Sequence, residues 1–174
     1  MTIKQPEMKI DQYGNKEWQL NGERHRADGP AIEWANGYKT WYLNEKRHRT
    51  DGPAVEWANG RKEWYQNGKL HRTDGPAFES ADGDKWWYQL GKCHRTDGPA
   101  IEHASGTKEW YQDGERHRTD GPAVEDADGT KQWLLNGERL GNDAEGFHAL
   151  LRRLGDTDPD AAYNLLLKYP EYHR

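Results

Sequence analysis

From Tyr13 to Arg139 the chain runs in short bursts of alternating apolar and polar residues separated by turn dipeptides, and the pattern returns every 23 residues. One period reads Pro53-Ala54-Val55-Glu56-Trp57-Ala58, Asn59-Gly60, Arg61-Lys62-Glu63-Trp64-Tyr65-Gln66, Asn67-Gly68. Alternation of β-branched or aromatic residues with polar ones marks a half-buried strand, and Asn-Gly between two such runs is a strong hairpin signal. Two-residue type I′ turns at both Asn-Gly pairs predict that Val55 faces Trp64, Trp57 faces Lys62, Ala54 faces Tyr65 and Glu56 faces Glu63. Across the second turn Trp64 faces His71 and Glu63 faces Arg72. Alternation then places Val55, Trp64 and His71 on one face of the sheet, with Ala54, Glu56, Glu63, Tyr65 and Arg72 on the other.

The period is punctuated by His-Arg-x-Asp-Gly-Pro-Ala, which begins at His25, His48, His71, His94 and His117. A fixed step of this length means that each unit buries its apolar side by stacking on its neighbours. In Asp-Gly-Pro the aspartate bonds nearby backbone, the glycine takes an unusual φ and the proline starts the next strand. The expected fold is mostly β: an elongated array of 23-residue β-hairpin repeats, on the order of 55 Å long at about 10 Å per two-stranded unit. Residues 1–20 are a partial repeat acting as an N-terminal cap, and residues 21–141 hold five full repeats and the start of a sixth. In residues 142–174 the period becomes helical. Phe147, Leu150, Leu151 and Leu154 share one face with Gly155 as a stop, and Ala162, Leu165, Leu166 and Tyr169 share another after Asp158-Pro159. These two helices are expected to cap the last hairpin; dimerisation or partner docking is the alternative.

Composition changes this picture little. Only 33% of residues are apolar and 32% are charged, but nine Trp and nine Tyr supply burial that a disordered chain lacks. A net charge of -5 makes nucleic acid an improbable partner. No apolar run approaches the roughly 20 residues of a membrane span, and Met1-Thr2-Ile3-Lys4-Gln5-Pro6 lacks a secretory core, so a cytoplasmic location is the expectation. Cys93 stands where other copies have Arg24, Arg47, Leu70 and Arg116, and makes no internal disulfide.

The units Asn44 to Gln66 and Asn67 to Gln89 resemble MORN and MORN-like repeats, with a Tyr/Trp strand, an Asn-Gly-Lys turn and a following His. The resemblance covers about Tyr13 to Arg139. It departs from that family where His-Gly-x-Gly becomes His-Arg-x-Asp-Gly-Pro. The variant motif is similar to repeats of phage and large-virus proteins, which would place the chain in a host cytoplasm. The resemblance implies a β-hairpin scaffold that binds proteins or lipids and sometimes forms homodimers; it does not imply catalysis or a cofactor.

Candidate chemistry is sparse. Histidines one unit apart stand about 10 Å from each other, too far to share a metal whose Zn–N bonds are near 2.0 Å, so packing on Trp with one nitrogen bonded to backbone is the expectation. No phosphate loop, Ser/His/Asp set or zinc spacing occurs, and an enzyme is the least favoured class. Arg49, Arg72 and Arg95, with Trp86, could hold a nucleotide or other small anion. A cross-strand Arg-Glu ladder with Glu33, Glu56, Glu79, Glu102 and Glu125 is the competing and preferred reading. Function is expected where copies differ. One variable column is Trp34, Trp57, Ser80, His103 and Asp126, and another is Thr40, Glu63, Trp86, Glu109 and Gln132. Trp34 and Trp57, with Tyr38 near and His103 further along, are the candidate contacts for a partner protein, and shielding of the sheet is the alternative.

Overall fold

The structure, a computed structural model, describes residues 4–172. It is mostly β, a series of short antiparallel hairpins followed by two helices. The chain forms two compact units, Met1–Lys92 and Cys93–Arg174.

In the first unit Glu7–Ile10, Lys16–Leu20, Ile32–Glu33, Lys39–Thr40, Val55–Glu56, Lys62–Glu63, Phe78–Glu79 and Lys85–Trp86 lie side by side in that order, all antiparallel. Each repeat adds two very short strands to this sheet. It then makes a small hairpin beside it, Tyr42–Leu43 with Lys46–Arg47 and Tyr65–Gln66 with Lys69–Leu70.

The two turns of a repeat are of different kinds. Asn67 and Gly68 both have positive φ, 50° and 81°, so this is the expected type I′ turn, and Tyr65 faces Leu70. At Asn59-Gly60 only Gly60 has positive φ, 94°. Trp57 N–H bonds the Arg61 carbonyl at 3.0 Å and Gly60 N–H bonds the Trp57 carbonyl at 3.0 Å, a three-residue loop closed by a glycine bulge. Asn59 Oδ1 accepts the Arg61 N–H at 3.1 Å, as Asn36 does from Tyr38 at 3.0 Å, which holds the asparagine out of the left-handed region.

One extra loop residue moves the register by one, which exchanges faces. Val55 faces Glu63 and Glu56 faces Lys62, so the expected Val55–Trp64 pairing and the Val55-Trp64-His71 stripe do not form. Ile32, Thr40, Val55, Glu63, Phe78 and Trp86 make one row across the sheet, with Thr40, Val55 and Glu63 at 0%, 1% and 5% exposure. The neighbouring row alternates Lys16, Glu33, Lys39, Glu56, Lys62, Glu79 and Lys85, a charge ladder in which each lysine sits opposite glutamates. Trp18, Trp41 and Trp64, whose side chains lie on this second face, donate their backbone N–H groups to the carbonyls of the fully buried Ala31, Ala54 and Ala77.

The second unit repeats this plan in Ile101–Glu102, Lys108–Glu109 and Val124–Glu125, then closes with two longer strands, Lys131–Leu135 and Glu138–Asn142. Helix α1, Asp143–Thr157, covers these last strands, and α2, Pro159–Lys168, packs against α1. Helix α1 passes through Gly155 rather than stopping there. It ends at Asp158, because the residue before Pro159 is driven out of the helical region, and Asp158 then caps α2 by accepting the Ala161 N–H at 3.0 Å. The core here is Trp133, Phe147, Leu150, Leu154, Ala162, Leu165 and Tyr169. Trp133 occupies the place of Trp110 one repeat earlier, where the Arg118 guanidinium lies 3.8 Å over the ring. Gly141 stands where that arginine would be, and the rings of Phe147, Tyr169 and Tyr172 pack edge-on at 5.7, 5.3 and 6.3 Å instead. The approach is close enough that a Cβ on Gly146 would strike the Trp133 ring and stand 2.5 Å from the Gly141 oxygen.

Candidate functional site

The three-residue loops of successive repeats lie against one another at one edge of the first unit's sheet. Asn15 Oδ1 accepts the Ala35 N–H at 2.9 Å, and a Cβ on Gly37 would stand 3.2 Å from Ala58 Cβ. Because Trp34 and Trp57 open two consecutive loops and Tyr38 closes the first, stacking the loops brings the three rings together. Tyr38 is wedged between the indoles, 5.6 Å from Trp34 and 4.6 Å from Trp57, at 64° to each. The indoles remain 51% and 42% exposed. Arg61, closing the second loop, lies over Trp57 and over Phe78 and is bonded to Glu63. Tyr13, at the tip of the preceding loop, is 72% exposed. The result is an apolar, aromatic, solvent-facing cluster on a well-bonded support, of the composition found at the centres of protein interfaces.

His103 belongs to the second unit, where its Nε2 is 3.5 Å from Glu109 Oε1. Glu109 is nearly buried and also takes Arg116 at 2.8 Å and the Tyr111 hydroxyl at 3.0 Å. Trp86 is stacked 4.4 Å from Phe78 on the Val55 face, with its indole N–H buried and unbonded.

Arg49 and Arg72 lie on the other face, so the sheet separates them from Trp86. The guanidiniums of Arg26, Arg49 and Arg72 lie 4.0, 4.0 and 4.2 Å over Trp18, Trp41 and Trp64. Each Nε bonds the aspartate two residues on, as from Arg72 to Asp74 at 2.8 Å. Each Nη1 bonds the Pro carbonyl of its own Asp-Gly-Pro and the glutamate seven residues on, Pro76 at 3.3 Å and Glu79 at 3.4 Å for Arg72. Arg95 is held in the same way by Asp97, Pro99 and Glu102. The Arg-Glu pairs therefore run within a repeat, to Glu79 and not to Glu63, as the register change requires. Gly29, Gly52 and Gly75 have no positive φ; their role is space, because a Cβ there would stand 2.9 Å from the arginine Cζ. Open grooves remain between successive arms, and the one lined by Arg49, Asp51, Trp64, His71, Arg72 and Asp74 has two carboxylates on its rim.

The histidines join one repeat to the next. Nδ1 of His48 accepts the Asn67 N–H at 3.2 Å and Nδ1 of His71 accepts the Leu90 N–H at 3.1 Å, each from the type I′ turn of the following unit. Among the described residues no group of three or more His, Cys, Asp or Glu is placed to hold a metal ion, and no helix is long and apolar enough to cross a membrane. Burial, with Glu109 nearby, pushes the Cys93 thiol up to about 12, which leaves it a poor nucleophile.

The hydrogen bonds from Arg26, Arg49, Arg72 and Arg95 hold Asp28, Asp51, Asp74 and Asp97 below the usual carboxylate range. A carboxylate depressed on folding adds stability that is complete above its unfolded pKa, near 3.9, and is lost as pH falls through the lower folded value. The thermal midpoint, followed by circular dichroism, should therefore fall increasingly steeply below about pH 4. Asp74→Asn should lower the midpoint at neutral pH and shrink the acid fall; an acid limb unchanged by this substitution would contradict the assignment.

The chain matches no protein-family model and has no significant match among curated proteins.

Proposed function

We propose that this chain is a non-enzymatic binding scaffold or inhibitor that engages a partner protein through the loop cluster Trp34, Tyr38 and Trp57. The observation that carries the reading is the exposure of two indoles, 51% and 42%, held in place by a third ring and a bonded arginine. Such rings present a large apolar area at little entropic cost on binding, because their neighbours already restrict them. The arginines and histidines that recur in every unit are engaged in stacking the repeats, which leaves the variable loop residues as the natural carriers of specificity. The hairpin-repeat plan, similar to MORN-like units, supports a scaffold, and the reading extends to a cytoplasmic setting, the host's if the chain is viral.

The test is partner capture by the full chain, followed by affinity measurement with Trp34→Ala and Trp57→Ala. Each indole is expected to contribute as a hot spot, about 2 kcal/mol or more, so each single substitution weakens binding roughly 30-fold while the circular dichroism spectrum is unchanged. Partner affinity that survives the double substitution in a folded protein would sink the reading.

A further inference from the structure

The first unit's loop row has a period, and a period selects among the shapes a partner segment can take. The loops Asp11 to Asn15, Trp34 to Tyr38, Trp57 to Arg61 and Ser80 to Asp84 share one pattern: the first residue's N–H bonds the fifth residue's carbonyl, and the glycine at the fourth place donates its N–H to the first residue's carbonyl. Each step along the row crosses two strands, about 10 Å. Trp34 and Trp57, at equivalent loop positions, are each inclined 64° to Tyr38, so the row offers aromatic walls one step apart with a ring between them. On one side Tyr13, at the tip of the preceding loop where the next two have Asn36 and Asn59, adds an exposed ring. On the other side the aromatic character ends and the next loop carries Asp82, which is exposed.

A polyproline II helix rises about 3.1 Å per residue with three residues per turn, so side chains three apart share one side at about 9 Å, close to one step of the row. An extended β segment returns a side chain to the same side only at even spacings, about 7 and 13 Å, and misses it. Proline rings are compact, apolar and already ordered, and the backbone carbonyls of this helix have no internal partners, so they are open to donors on a docking surface. Asp82, at the tip of the next loop where the preceding one has Asn59, is exposed, and its carboxylate complements a cation beyond the second proline.

We propose that the row Tyr13, Trp34, Tyr38 and Trp57 docks a proline-rich polyproline II segment of a partner protein, with prolines three residues apart on Trp34 and Trp57 and a Lys or Arg beyond them, toward the next loop, against Asp82. The proposal rests on the protein-binding reading of this cluster and names the segment it takes.

The experiment titrates the full chain with synthetic peptides, followed by calorimetry and tryptophan fluorescence. One peptide has prolines at every third position ending in Arg, one has the same composition with prolines at every fourth, and one ends in Glu. The third-position Arg peptide should bind at least tenfold more tightly than the fourth-position one. Trp34→Ala or Trp57→Ala should weaken it at least tenfold, and Asp82→Lys should weaken the Arg peptide several-fold while leaving or improving the Glu peptide. Equal binding of the two spacings, indifference to the Trp substitutions, or no binding of either peptide overturns the proline assignment. If a captured partner protein still loses affinity with Trp34→Ala while no proline peptide binds, or if an amphipathic helical peptide occupies the cluster instead, the cluster remains a protein contact and only its segment was misidentified. If no partner depends on Trp34 or Trp57, both readings fall.

Discussion

Trp133→Ala should cost about 3–5 kcal/mol, the range for removing a large buried aromatic, and should do so through the second unit. The side chain is fully buried, and Phe147, Tyr169 and Tyr172 pack around it edge-on. Its removal takes away the surface on which both helices rest, and the neighbours cannot close the gap. Gly146 already brings α1 so close to the strand that its backbone has little further to move. Urea unfolding monitored by near-ultraviolet circular dichroism should show the midpoint moving sharply down, with the aromatic signal of Tyr169 and Tyr172 lost before the rest. Because the strand Glu138–Asn142 and the ring surface beneath α1 would then be uncovered, the variant should also aggregate at concentrations where the parent is stable. A change under about 1 kcal/mol would mean that the helices are held chiefly by other contacts, such as the Lys168 bonds to Asp120 at 2.8 and 2.9 Å.

Arg72→Ala should destabilise the first unit by about 2–3 kcal/mol, from the loss of charge-assisted hydrogen bonds and of the stack on Trp64. Asp74 and Glu79 would lose their shared cation, the Pro76 carbonyl its donor, and Trp64 its cover. Arg72→Lys should recover little of this. A lysine ammonium is a compact charge that cannot lie flat on the indole while reaching two carboxylates and a carbonyl in a plane. The measurement is again urea unfolding of the full chain. If stability were unchanged while binding of a nucleotide or other small anion disappeared, Arg72 would be a ligand contact, as the anion reading of Arg49, Arg72 and Arg95 requires. With Nε and Nη1 already bonded inside the repeat, an incoming anion would have to compete with two resident carboxylates.

Several features were legible in the residues alone. The recurrence of His-Arg-x-Asp-Gly-Pro-Ala announces stacked hairpins, Asn67-Gly68 is the type I′ turn it looks like, and the apolar spacing after Asn142 yields two helices. The aromatic column at Trp34 and Trp57 stood out because it varied where its neighbours did not. The register of the first hairpin differs from the expected one, since Asn-Gly suits both a two-residue turn and a three-residue loop closed by a glycine bulge. A clue was present: the fourth copy has Ser105-Gly106 at that place, and serine is a poor occupant of the left-handed conformation a type I′ turn needs there. The Lys-Glu ladder was likewise in the sequence, as Lys16, Lys39, Lys62 and Lys85 against Glu33, Glu56 and Glu79, but it could be recognised only once the register was known.

A hairpin repeat with a helical end is readable from the residues, because periodicity and turn chemistry are local and recur often enough to be unmistakable. Which residues share a face is settled by strand pairing and loop packing. In a sheet a single residue of slip exchanges the two sides, and here the slip depends on an Asx bond and on the packing of one loop against the next. That choice buried Glu63 beside Val55, turned Trp64 toward Arg72, gave Gly75 its role as space for a guanidinium, and wedged Tyr38 between two exposed indoles. Contacts between residues one repeat apart arise from stacking, and no single unit of 23 residues contains them.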